Sequence, residues 1–214
     1  EKIKKQNYKN TEIIIVDNYS TDLTVKKALQ FTKKVIKIKN FTPGKAINEG
    51  IKVAKGNIIV VLSAHCIPVN NFWLSNLIKD LKDKKVAGVY GRQEPMKYTS
   101  DIDKRDLLTI FGLDKKVQIK DTFFHNANSA FRKEVWNKIP FNEKITNIED
   151  RIWGEKVISM GLKIIYEPTA SVYHFHGVHQ NLNKRRAENV VKILESLDNF
   201  KRKDNSINYK DLKI

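Results

Sequence analysis

The chain has 214 residues, 41% hydrophobic and 30% charged, which is enough for one domain with a substantial core and excludes a disordered polypeptide. No apolar run reaches the ~20 residues of a membrane-spanning helix, and one cysteine, Cys66, excludes an intrachain disulfide. The net charge of +16 admits nucleic acid, an anionic membrane surface or phosphorylated substrates as partners.

The lysines are scattered rather than gathered with aromatics, so no nucleic-acid partner is expected. Joint richness in Lys, Asn and Ile makes compositional bias the larger source of the charge, with weak membrane attraction second. The expected location is cytoplasmic, with peripheral contact at the inner membrane face.

Residues 1–5 read as the end of a helix. Ile13–Val16 is an apolar run that stops at Asp17, followed by a polar turn. Buried parallel strands read this way, and ligands bind at the carboxyl ends of such strands. A helix follows, with Val25, Ala28, Leu29 and Thr32 on one face. Strand Val35–Ile38 leads to a helix facing inward with Ile47, Gly50, Ile51 and Ala54, which Gly56 is placed to end. Strand Ile58–Leu62 precedes a helix with Leu74, Leu77, Ile78 and Leu81, and strand Val86–Tyr90 comes next. Strands alternating with single amphipathic helices predict βαβ units and a mainly parallel sheet. Asp17 and Ser63–His65 should then face one crevice.

After Gly91 the pattern loosens. Residues 93–120 read as irregular with a short helix. Asn128–Phe131 reads as a strand, Arg132–Lys138 as a short helix, and Ile148–Met160 as a helix capped by Gly161. Leu162–Tyr166 and Ala170–Tyr173 are strands on either side of Pro168. Asn183–Leu197 is an amphipathic helix with Ala187, Val190, Val191, Leu194 and Leu197 inward, and the tail from Lys201 is polar.

The nucleotide signatures G-x-G-x-x-G and G-x-x-x-x-G-K-[ST] are missing. Five other segments carry a different likeness. Ile13-Ile-Ile-Val-Asp-Asn-Tyr-Ser-Thr-Asp22 resembles the nucleotide-sugar motif of family 2 glycosyltransferases, usually Val-Asp-Asp-Gly-Ser-Thr-Asp. Pro43-Gly-Lys-Ala-Ile-Asn-Glu-Gly50 resembles their next signature, and Ile58-Ile-Val-Val-Leu-Ser-Ala-His-Cys-Ile-Pro68 their third strand with its metal motif. Asn126-Ala-Asn-Ser-Ala-Phe-Arg132 resembles the small-residue acceptor strand, and Asn147-Ile-Glu-Asp-Arg-Ile-Trp153 the segment of the catalytic base. The five occur in the family's order.

The resemblance implies an α/β fold of the GT-A type, a Rossmann-like, mainly parallel sheet flanked by helices. It places the transferase domain at residues 1–182, without the family's first strand, and a helix and tail at 183–214 packed on it. The implied activity is inverting transfer of a sugar from a nucleoside-diphosphate sugar to a hydroxyl of a cell-envelope glycan, itself a free glycan or lipid-linked. The rival is a non-catalytic relative that binds nucleotide or glycan.

The residue roles come from the same resemblance. Asp150 is the general base and Glu149 orients the site, although acids also favour a helix's first turn. Asp17, Asn18, Asp22, Lys45, Asn48, Ser63, Ala64 and His65 face the nucleotide sugar. Asp22 reads equally as a helix N-terminal acid, and Lys45 equally as a solvated lysine. Asn128 and Trp153 lie on the acceptor side; Arg92, placed after a strand and facing the crevice, reads as a phosphate or acceptor contact and equally as a surface ion pair, and Trp73 and Trp136 read as core. Where the family has Asp-x-Asp, this chain has Ser63-Ala64-His65. A divalent ion would fall to His65, His174 and His176, favouring Mn²⁺ over Mg²⁺.

Overall fold

The computed structural model describes residues 1–177 and 184–197. It divides into two units, Glu1–Asn181 and Leu182–Ile214. In the first, β1 (Ile15–Asp17) and β2 (Val35–Lys37) pair in parallel as a two-stranded sheet. A six-stranded sheet follows the order β3 (Ile58–Leu62), β7 (Asn128–Arg132), β5 (Val86–Pro95), β8 (Lys163–His174) and β4 (Cys66–Pro68). Strand β6 (Lys116–Gln118) also pairs with β8.

This sheet is mixed, which corrects the mainly parallel expectation. Only β5–β8 runs parallel, while β3–β7, β5–β7, β4–β8 and β6–β8 are antiparallel. The reason is insertion: β7 lies between β3 and β5, the two strands that a βαβ reading would make neighbours. Local periodicity carries no signal for a strand added from as far along the chain as Asn128–Arg132.

Strand alternation builds two cores on opposite faces. Ile59, Tyr90, Phe131, Ile164 and Tyr166 join one cluster, with Ile51 of α2 (Pro43–Val53), Leu107 of α4 (Asp101–Ile110), Val135 of α5 (Lys133–Lys138), and Trp153 and Val157 of α6 (Glu149–Ser159). Val89, Ala130, Ile165 and Val172 join the other, with Trp73, Leu74 and Leu77 of α3 (Trp73–Ile78). The helix expected through Leu81 ends its α-form at Ile78, and a 3₁₀ turn, Lys79–Lys82, carries Leu81 inward. Helix α1 is short, Thr24–Ala28, and buries nothing; Leu29 is exposed.

Strand β5 runs on to Pro95, beyond the Tyr90 expected, and β8 is one strand through Pro168. The register explains this tolerance. Gly91 pairs with Glu167 and Gln93 with Val172, so Pro168 falls in a bulge that needs no ladder donor. Gly91 is required there, since a Cβ would meet the Ala170 carbonyl oxygen at 2.0 Å. Helix α6 ends as expected, with Gly161 at φ +73.

The second unit contains α7, Lys184–Leu197, with Val190 half-buried and Ala187 and Val191 exposed, so two of the side chains expected to face inward do not. The side chains of Leu194 and Leu197 and the polar tail lie outside the described residues. No helix among the described residues is long and apolar enough to cross a membrane.

Candidate active site

Helix α6 begins at the acidic pair. Glu149 and Asp150 occupy its first turn, where the helix dipole favours negative charge. Asp150 is half-buried. Its Oδ2 accepts the Asn126 backbone N–H at 3.0 Å and its Oδ1 that of Arg151 at 2.8 Å. Glu149 is buried, and Asn126 Nδ2 approaches its Oε1 at 3.5 Å. The Asn126 side chain is set by Ser129 Oγ, which donates to its Oδ1 at 3.1 Å. A fixed carboxylate oxygen pair that still reaches solvent suits proton abstraction.

The neighbour of Asn126 belongs to a second feature, a convergence of imidazoles. His65 leaves the turn between β3 and β4, while His174 ends β8 and His176 follows it. The His65 and His174 rings stack at 4.8 Å between centroids and 11°. His176 lies 4.6 Å from the first and 4.5 Å from the second. Although the residue is exposed overall, loss of water around its ring, stacked on His174, then the neighbouring His176 and His125 rings, push the His65 pKa down. Burial is also the main cause for His174, whose pKa falls to about 3. Both are therefore neutral at pH 7.

Cys66 sits opposite His174 in the β4–β8 register. Candidate ligand atoms of His65, Cys66 and His174 lie within 4.8 Å of one another. The divalent ion that the resemblance implies can be tested against these donors. Mg²⁺ takes hard oxygen ligands; this group supplies imidazole nitrogen and sulfur and no carboxylate. The fit to Mg²⁺ fails, and to the hard end of Mn²⁺ chemistry it is poor.

On the nucleotide side, Asp17 is 3% exposed and its Oδ2 accepts the Ser20 N–H at 3.1 Å. Asn18 is exposed, and Tyr19 takes a left-handed φ of 53. Asp22 is exposed, and its Oδ1 accepts the Thr24 N–H at 2.9 Å. Hydrogen bonds from Thr24 hold its pKa low, so its local role is the helix-start one. Lys45 lies in the first turn of α2, where its N–H donates to the Thr42 cap and its Nζ to the Lys39 carbonyl at 2.7 Å. Ser63 N–H donates to the Ala127 carbonyl and Ser63 O accepts from Cys66 N, so Ala64 and His65 form an exposed turn.

Three of the expected site residues are engaged within the protein. Asn48 is buried: its Nδ2 donates to Phe141 O and Glu143 Oε1, and its Oδ1 accepts from Trp136 Nε1 and Phe141 N. Asn128 is fully buried, with its amide on the carbonyls of Arg92 and Ala170 and its oxygen on Trp73 Nε1. Trp153 is 1% exposed, packs on Phe124, Phe131 and Phe141, and donates to the Ile139 carbonyl. These side chains are spent on the protein itself. Arg92 is half-buried within β5, its Nε 3.9 Å from Glu94 Oε1.

Cys66 and His125 were not singled out in the sequence. Cys66 had a signal, its place directly after His65 and before a strand. His125 had none; only the fold brings it near both His65 and His174.

Comparisons with known proteins agree with this architecture. The chain is 29% identical over 186 residues to the O-antigen chain rhamnosyltransferase WbaN of Salmonella anatum, covering 81% of this chain and 59% of that protein. It is 39% identical over 99 residues to the dolichyl N-acetyl-alpha-D-glucosaminyl phosphate 3-beta-D-2,3-diacetamido-2,3-dideoxy-beta-D-glucuronosyltransferase of Methanococcus voltae, covering 41% of this chain and 30% of that one. The chain thus spans about three-fifths or less of the curated relatives it matches. The mannosyltransferase PcManGT from Pyrobaculum calidifontis, solved with GDP-Man and Mn²⁺, superposes with a TM-score of 0.71 at 20% identity, covering 97% of this chain and 60% of that one, which shows the GT-A fold. A family model, Glycosyl transferase family 2, matches residues 1–139, and the chain belongs to that family.

Proposed function

We propose that this chain is the catalytic portion of an inverting glycosyltransferase that moves a sugar from a nucleoside-diphosphate donor to a hydroxyl of an envelope glycan. The observation that carries it is Asp150, an oriented and half-buried carboxylate at a helix N-terminus. The acceptor oxygen attacks the anomeric carbon from the side opposite the diphosphate. Its proton passes to Asp150 as the new C–O bond forms, and the bond to the diphosphate oxygen breaks with its electron pair leaving on the diphosphate. Asp17 supplies acceptor oxygen for the nucleoside, Asn18 and the 63–65 turn border the donor, and Lys45 adds positive charge to the N-terminus of α2. Arg92 lies on the acceptor side, and Glu149 holds the segment that carries Asn126. Similarity to proteins named as an O-antigen chain rhamnosyltransferase and a dolichyl N-acetyl-alpha-D-glucosaminyl phosphate glucuronosyltransferase supports the acceptor class.

The test is release of nucleoside diphosphate from a panel of UDP-, GDP- and dTDP-hexoses. Asp150→Asn should cut turnover at least about a hundredfold while donor affinity changes little. Near-normal turnover would remove Asp150 from the base role. A second reading, a non-catalytic binder, is favoured by Ser63-Ala64-His65 in place of two carboxylates. Nucleotide binding without turnover of any donor in the panel would select it.

The same reading includes weak attachment to an anionic membrane surface. It is supported by the net charge of +16 and by Lys184-Arg185-Arg186 opening the amphipathic α7. Co-sedimentation with phosphatidylglycerol vesicles, lost at high salt, is expected. Equal binding to neutral vesicles would dismiss the electrostatic attachment.

A further inference from the structure

We propose that His65, Cys66 and His174, with His176 beside them, form a nitrogen- and sulfur-donor site that selects a borderline divalent ion of the Co²⁺, Ni²⁺ and Zn²⁺ class and rejects Mg²⁺. The inference concerns binding alone and stands whether or not the chain transfers sugars.

The first observation is geometric. Two imidazoles and a thiol present ligand atoms within 4.8 Å of one another, and a third imidazole ring stands 4.5 Å from His174. Two nitrogens and one sulfur make a three-donor set, with the His176 ring beside it, and imidazole and thiolate are the donors that zinc sites use. Register explains the meeting: Cys66 and His174 are direct partners across β4–β8, so their side chains emerge on one face.

The second observation is His174 itself. It is 1% exposed, and neither ring nitrogen has a hydrogen-bond partner among the described residues. A buried polar group without a partner is costly. A cation accepts the lone pair of a neutral imidazole and removes that cost on one nitrogen.

The third is the tautomer of His176. Its Nδ1 lies 3.0 Å from the Gly177 carbonyl oxygen, which can only accept. Nδ1 therefore carries the proton and Nε2 the lone pair, the arrangement that ligating histidines show when a carbonyl fixes their orientation. His125 is different. Its Nδ1 accepts the Ala127 N–H at 3.3 Å, which puts the proton on Nε2. His125 walls the site and does not ligate it.

The donor chemistry sets the selectivity. Imidazole and thiolate bind Co²⁺, Ni²⁺ and Zn²⁺ well above Mn²⁺, and Mg²⁺ least. A thiol gives up its proton to a metal only where that metal binds sulfur strongly, which favours the same ions.

The whole chain, stripped with EDTA and desalted, is titrated with CoCl₂, ZnCl₂, MnCl₂ and MgCl₂, followed by calorimetry and by the visible spectrum of cobalt. Expected are one Co²⁺ or Zn²⁺ per chain, at least about a hundredfold tighter than Mn²⁺, no measurable Mg²⁺, and a sulfur-to-cobalt charge-transfer band that Cys66→Ser abolishes. His65→Ala, a change at an exposed position that leaves folding intact, should weaken Co²⁺ by at least about tenfold, with His174→Ala its buried counterpart. Wild-type cobalt affinity in His65→Ala, a cobalt spectrum without the sulfur band, or Mg²⁺ binding as tightly as Zn²⁺ would overturn the site. Because no sugar donor is present, failure here leaves the transferase reading untouched, and loss of turnover in Asp150→Asn leaves the metal site untouched.

Discussion

Asn48 shows how a residue's type and its role part company. Its amide makes four hydrogen bonds, all to residues 88 or more positions away, and joins α2 to α5 and the segment that follows it. Asn48→Ala would leave buried groups on Trp136 and Phe141 without partners. It should destabilise the fold by about 2–4 kcal/mol, from the range for each orphaned buried group, without a specific loss of nucleotide affinity. Urea unfolding with nucleotide titration checks both, and a stability change below about 0.5 kcal/mol, the scale of ordinary surface substitutions, would dismiss the clamp. Asn128 and Trp153 teach the same lesson. The chain reveals that an amide or an indole is present, but not whether distant carbonyls already occupy it. The place of Asp150 in a helix's first turn was legible because helix starts impose a local rule that a sequence can display.

Among elements, those with a strong local signal stand where periodicity puts them. Strand β3 matches Ile58–Leu62 residue for residue, and α6 falls within one residue at each end of its expected span. Errors gather where pairing decides. Strand β8 crosses Pro168 because a bulge removes the need for a donor, and β5 outruns Tyr90 because β8 offers it a partner as far as His174. The residue spacing there looked loose only because both faces of Gly91–Glu94 meet protein. The imidazole cluster is likewise a product of pairing. His65 and His174 were visible as candidates, but the alignment of Cys66 with His174 exists only once β4 lies along β8.

For the whole molecule, the family's five motifs were readable because each sits at a strand end or helix start, and the sheet order was not, because β7 enters from far along the chain. The division of the strands has a consequence of its own. The ladder of β1 with β2 holds three residue pairs, and Ile13–Val16 is only half-buried, whereas Val89 and Ile164 of the larger sheet are wholly enclosed. Few enclosed apolar contacts mean a low free energy of local opening. Amide protons of Ile15 and Ile38, bonded to Lys34 and Asp17 carbonyls, should therefore exchange with deuterium at least about tenfold faster than those of Val89 and Ile165; equal protection would show one cooperative unit. Asp17 stands on the faster-opening ladder, so a nucleotide held there must quiet that motion as it binds. Part of its contact energy then goes into order rather than affinity, and slower exchange in this ladder becomes a reporter of occupancy that needs no turnover at all.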